Sequence, residues 1–97
     1  MTTLAREIQC GDVIMPPRRE VSLWMRRTCR ERGLSDAAMY LSVTDVRDGT
    51  PDKGGPWLIV TADQTEEWNS GRRALPFRFK VRPATPWVMV ARASVPA

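Results

Sequence analysis

The sequence predicts an α+β protein: a small, mainly antiparallel barrel or rolled sheet of about five strands with one principal α-helix. Three observations carry this expectation. Short runs of β-branched, aromatic and aliphatic residues recur at close spacing, separated by Gly- and Pro-rich turns. The segment "PFRFKVRP" (76–83) alternates, with Phe77, Phe79 and Val81 against Arg78, Lys80 and Arg82. As a strand it has one apolar face and one cationic face. The segment "RREVSLWMRRTCRERG" (18–33) has the best helical periodicity in the chain.

The elements follow in order. Residues 1–11 form a lead-in, with one helical turn over Leu4 to Ile8. Gly11-Asp12 marks a turn, Val13 to Met15 a short strand, and Pro16-Pro17 ends it, because proline cannot donate to a ladder. In 18–33, Val21, Trp24, Met25, Thr28 and Cys29 make one apolar stripe, and Arg19, Arg26 and Arg30 take the opposite face. "VSLWM" also alternates, so a hairpin strand paired with 12–16 is the alternative; the stripe continuing through Cys29 favours the helix. Gly33 is the expected C-terminal stop. Ser35 or Asp36 starts another short turn.

"MYLSVTDV" (39–46) reads as a strand with Met39, Leu41 and Val43 on one face. "RDGTPDKGGP" (47–56) is a connection, and "WLIVTA" (57–62) a central strand. "DQTEEWNSGRRALP" (63–76) is a loop with a helical turn begun at Asp63, which has capping-box spacing to Glu66. The strand 77–82 follows. "PATP" turns it, and "WVMVARA" (87–93) pairs back on it as the last strand. Trp24, Trp57 and Trp87 all take buried positions in this scheme. "GDVI" opening such a chain resembles small SH3-like modules, a likeness that bears on architecture alone.

The 97 residues are expected to form one domain, 1–97. The net charge is +4, and thirteen of the fifteen cations are Arg. The guanidinium fork suits phosphates and carboxylates. GC-rich coding produces the same preference for Arg over Lys. No stretch approaches the ~20 apolar residues of a membrane span, and no apolar run near Met1 resembles a signal peptide, so a cytoplasmic location is expected. Cys10 and Cys29 form no CxxC pair. They are expected to be reduced, with a Cys10–Cys29 bridge as the alternative.

The chain has no His. That removes the commonest metal ligand and the usual general base at neutral pH, and with them every Ser/His/Asp or Cys/His nucleophile system. "GTPDKGG" lacks the Gly-Lys-Ser/Thr order of a phosphate loop and precedes a strand. Asp45, Asp48 and Asp52 do not have calcium-loop spacing and read as turn residues. Asp63, Glu66 and Glu67 read as a helix start. No catalytic residue, metal or cofactor is expected. A carboxylate-based enzyme is the remote alternative.

Binding surfaces remain. A protein-binding site is expected at Trp68, Arg72 and Arg73, where "EEWNSGRR" holds a Trp in a polar loop and Trp and Arg are the types enriched in interface hot spots. The other reading has Trp68 folded back over one end of the barrel. A nucleic-acid surface is the alternative site. It would use Arg78, Lys80 and Arg82, extended by Arg92, together with Arg19, Arg26 and Arg30 and with Arg27 at the edge, if the strand and helix faces merge.

The "MTTLAREI" start, the Arg-, Trp- and Pro-rich composition and "GDVI" together resemble the small accessory proteins encoded by phages of GC-rich actinobacteria. The resemblance extends along the whole chain and carries no functional residue. It implies a non-enzymatic binding protein that acts on a host protein in the bacterial cytoplasm.

Overall fold

Alternating apolar and polar runs too short to bury themselves must share one sheet. The computed structural model, which describes residues 2–16, 18–73 and 75–93, shows how they do. Six strands are formed: β1 Thr2–Leu4, β2 Val13–Ile14, β3 Leu41–Asp48, β4 Leu58–Gln64, β5 Phe77–Val81 and β6 Pro86–Ala91. They make one antiparallel sheet in the order β1-β6-β2-β3-β4-β5, curled into a half-barrel. The principal helix α1, Arg19–Arg32, packs on its inner face, and a short helix α2, Glu66–Asn69, follows β4. The expected α+β class with one main helix is the class observed.

The core joins Met25 and Cys29 of α1 to Ile14, Leu41, Val43, Val60, Ala62, Trp87 and Met89 of the sheet. Gly33 ends α1 at φ 68°, and the N–H groups of Gly33 and Leu34 bond the carbonyls of Arg30 and Cys29. A left-handed stop of this kind favours glycine because it has no Cβ to clash. In β3, Leu41 and Val43 point inward; a bulge at Thr44 then lets Val46 take the inner face opposite Val60. Both cysteines are free, with Cys29 buried and Cys10 exposed.

Five expectations are corrected. The last strand does not pair with β5: β6 lies between β1 and β2. Pro83 and Pro86 lack N–H donors, and the carbonyls of Pro83 and Thr85 accept from Arg6 and Ala5. The N-terminal segment has thus taken the place of a β5–β6 hairpin, adding the unforeseen sixth strand β1. Met39 belongs to a 3₁₀ turn, Asp36–Met39, and is buried there. Helix α2 is capped by Thr65, whose Oγ1 accepts from Trp68 N at 3.1 Å, so Asp63 is left in β4.

The other two concern tryptophans. Trp24 is 57% exposed, because the inward stripe of α1 narrows to Met25 and Cys29 with Val21 beside them. Trp57 precedes β4 and lies on the outer face under the Arg82 guanidinium.

Candidate functional site

Strand β5 pairs with β4 from Ala62↔Phe77 to Leu58↔Val81. Among the described residues no other backbone hydrogen bond joins Phe77–Val81 to a second element. Its far edge is therefore an open sheet edge, with unpaired N–H and C=O groups. Phe77, Phe79 and Val81 turn inward, with the Phe77 and Phe79 rings stacked at 5.7 Å and Phe79 edge-on to Trp87 at 5.6 Å. Arg78 and Lys80 turn outward and are exposed.

A cavity of about 480 Å³ lies along this edge. Arg78, Phe79, Lys80 and Val81 line it consecutively. Because neighbouring side chains leave a strand on opposite faces, four consecutive residues line one cavity when the strand presents its edge. Thr85 and Pro86, at the entry to β6, form the far wall, and Arg18 before α1 forms the roof. This seam has an apolar floor of Val21, Phe79, Val81 and Trp87, a rim of Arg18, Arg78 and Lys80, and no carboxylate in its lining. Trp87 is fixed by its own polar tip, since Nε1 donates to the Met15 carbonyl at 2.8 Å.

The cationic row of β5 divides at this point. Arg82 folds over the Trp57 ring at 3.5 Å and bonds Asp52 Oδ1 at 2.9 Å and the Gly55 carbonyl at 3.0 Å. Asp52 Oδ2 accepts from Trp57 Nε1 at 2.8 Å. That indole bond, together with Arg82 and the Gly54 amide, brings the Asp52 carboxyl down to about 2. Arg82 is thus a clamp on the β3–β4 connection. Lys80 leans over the same ring from 4.7 Å. Arg92, expected to extend the row, instead bonds the Glu7 carbonyl and Thr3 Oγ1 at the opposite end of the sheet.

The helix cations are placed apart. Arg19 and Arg26 line a second hollow, of about 570 Å³, on the other side of α1 with Leu23, Met15 and Val88. Arg30 is exposed on α1 and lines neither cavity. The named helix cations therefore do not join the strand cations at the seam; the cation that does is Arg18, just before α1, which was not among the candidates. Its position beside Pro17 and outside the apolar stripe carries no sequence signal.

Trp68 is 9% exposed, against its expected role as an exposed anchor. Its ring meets the edge of Trp24 at 5.9 Å and lies 5.5 Å from the Arg32 guanidinium, which donates to the Trp68 carbonyl and to Ser70 Oγ. The reading in which Trp68 covers one end of the core is the one observed. Arg72 and Arg73 are exposed around a shallow hollow beside it. Glu67 ties α2 to the turn after α1: the N–H and hydroxyl of Ser35 donate to it and hold its carboxyl below the usual range. Burial raises the Cys29 thiol, helped by the Asp36 and Glu67 carboxylates.

Among the described residues no group of His, Cys, Asp and Glu has the arrangement of a metal site, and no helix is long and apolar enough to cross a membrane. No protein-family model, curated protein or solved structure matches this chain.

Proposed function

We propose that the chain is a non-enzymatic binding protein whose partner is another protein, and that the seam along β5 is its binding site. In the setting that the compositional resemblance implies, the partner is a host protein of the bacterial cytoplasm and the chain a phage accessory protein. One observation carries the binding reading: an open sheet edge, an apolar floor and three cations without a carboxylate converge on one cavity. A buried apolar centre inside a charged rim is the anatomy of a protein interface. Nucleic acid has less support. Arg82 is committed to Asp52, and the rings at the seam, Phe79 and Trp87, face the core, where they offer no stacking platform.

The test is capture from nuclease-treated actinobacterial lysate by the full chain and by an Arg78→Glu, Lys80→Glu variant of equal melting temperature. A protein held by the wild type and lost by the variant is the expected result. Capture that disappears with nuclease, or that the variant retains in full, overturns the reading.

A further inference from the structure

We infer that the seam takes an acidic, extended polypeptide segment, which adds to the sheet as a further strand beside β5. This rests on the reading of the seam as a protein-binding site and specifies how that site is used. The backbone supplies the first argument. One edge of β5 is bonded to β4, and among the described residues the other is bonded to nothing. An added strand would satisfy that edge with main-chain hydrogen bonds, as in strand-addition recognition generally.

The side chains supply the second argument, and they choose the occupant. A strand laid beside β5 continues its alternation, with one set of side chains on the inner face and the other on the outer. The inner set meets Val21, Phe79, Val81 and Trp87, and the outer set meets Arg78 and Lys80, with Arg18 at the roof. The matching partner alternates apolar and acidic residues.

Charge also selects against the commonest competitor for a free edge. A second copy of β5 would bring Arg78 and Lys80 against their own counterparts. Outward cations on an edge strand are a usual protection against self-pairing. The charge that repels a second β5 attracts an acidic strand. The neighbouring Arg82, just past the end of β5, sharpens the contrast, since it is neutralised by Asp52 at 2.9 Å while the seam's cations line a cavity without a carboxylate.

The experiment uses the full chain and a fluorescently labelled heptapeptide of alternating Val and Glu. At about 3.3 Å per residue such a peptide is roughly 23 Å long and spans β5. Fluorescence polarisation is read for this peptide, for one with Lys in place of Glu, and for two that are N-methylated at alternate residues. A single-stranded DNA oligonucleotide is the fifth probe. Saturable binding of the Val/Glu peptide is expected. Methylation of one of the two alternate sets should weaken it roughly tenfold or more, because several main-chain bonds are lost together.

Exchange of the β5 backbone amides should slow on binding, and an Arg78→Gln, Lys80→Gln variant should bind more weakly at a little-changed melting temperature. Equal binding of both methylated peptides overturns strand addition and leaves the seam as a protein site. Equal binding of the Lys peptide overturns the choice of an acidic partner. No saturable binding of the Val/Glu peptide overturns the inference, with the cations then serving only to protect the edge. Binding of the oligonucleotide alone, lost in the same variant, overturns this inference and the protein-binding reading together.

Discussion

The two ends of the sheet use the same residue types to opposite effect. At the N-terminal end, β6 is bonded on both sides, the short edge strand β1 lies outside it, and the neighbouring Asp12 and Arg92 are engaged. Asp12, only 1% exposed, accepts from the amides of Gln9 at 2.8 Å and Ala93 at 2.7 Å, with Arg92 at 3.6 Å. Gly11 makes the turn at φ 94°, and a Cβ there would come within 3.1 Å of Ala93. At the β5 end one edge is unbonded among the described residues, and Arg78 and Lys80 have no carboxylate partner among the described ion pairs. Arginines at the closed end and in the Trp57 clamp hold the chain together. At the open edge Arg78 enters no described ion pair, Lys80 has only its contact with the Trp57 ring, and that difference makes the edge the candidate site.

Substitutions can break this comparison, and their expected effects fall from the closed end to the open one. Trp87→Ala should cost the most, about 4 kcal/mol in urea unfolding, because it empties a large core site and orphans the Met15 carbonyl. Asp12→Ala should cost about 2–3 kcal/mol, by leaving the amides of Gln9 and Ala93 without their acceptor and removing the ion pair to Arg92. Loss of under about 0.5 kcal/mol there would remove the stitched end from the comparison. Arg82→Ala should cost about 1 kcal/mol, for a partly exposed cation over an indole.

The Arg82 clamp has a pH signature. The Asp52 carboxyl lies lower in the folded protein than in the unfolded chain, so its contribution is present in full above about 4 and is lost as pH falls through about 2. Fluorescence of Trp57, isolated by replacing the other three tryptophans with Phe in a variant that keeps its fold, should change in that window and not between pH 5 and 8. At the far end of the series, Arg78→Gln with Lys80→Gln should cost under about 1 kcal/mol, the loss being the exposed contact of Lys80 with the Trp57 ring. A loss above 1.5 kcal/mol would make these two cations structural and sharpen the comparison against the proposed site.

Local patterns in this chain were legible, and partnerships between distant segments were not. The alternation of 77–81 foretold the inward Phe77, Phe79 and Val81, and the spacing of Met25 and Cys29 foretold the buried stripe of α1. Gly33 foretold the helix stop. Trp24 and Trp68 were legible as large apolar residues, yet their exposures came out exchanged. Periodicity gives the width of a stripe only to within a residue or so, and the indole of Trp24 sits at that margin. Trp68 is drawn under cover by the Thr65 cap and by Arg32, which is 36 positions away. Arg18 could not be chosen from its neighbours in sequence, because its importance comes from β5.

The sequence alone thus determined the strand faces, the principal helix and the absence of histidine chemistry, since these depend on residue type and on periods of 2 and 3.6. Tertiary structure decided which strand lies beside which. Thr2–Leu4 and Val13–Ile14 bind the two sides of β6, and Pro83 and Pro86 withhold the donors a β5–β6 hairpin would need. Main-chain hydrogen bonds carry no side-chain code, so any strand of suitable length can satisfy an edge. The choice is made by the whole set of contacts at once. In this chain that set closes β6 on both sides and leaves the edge of β5 open beneath Arg18.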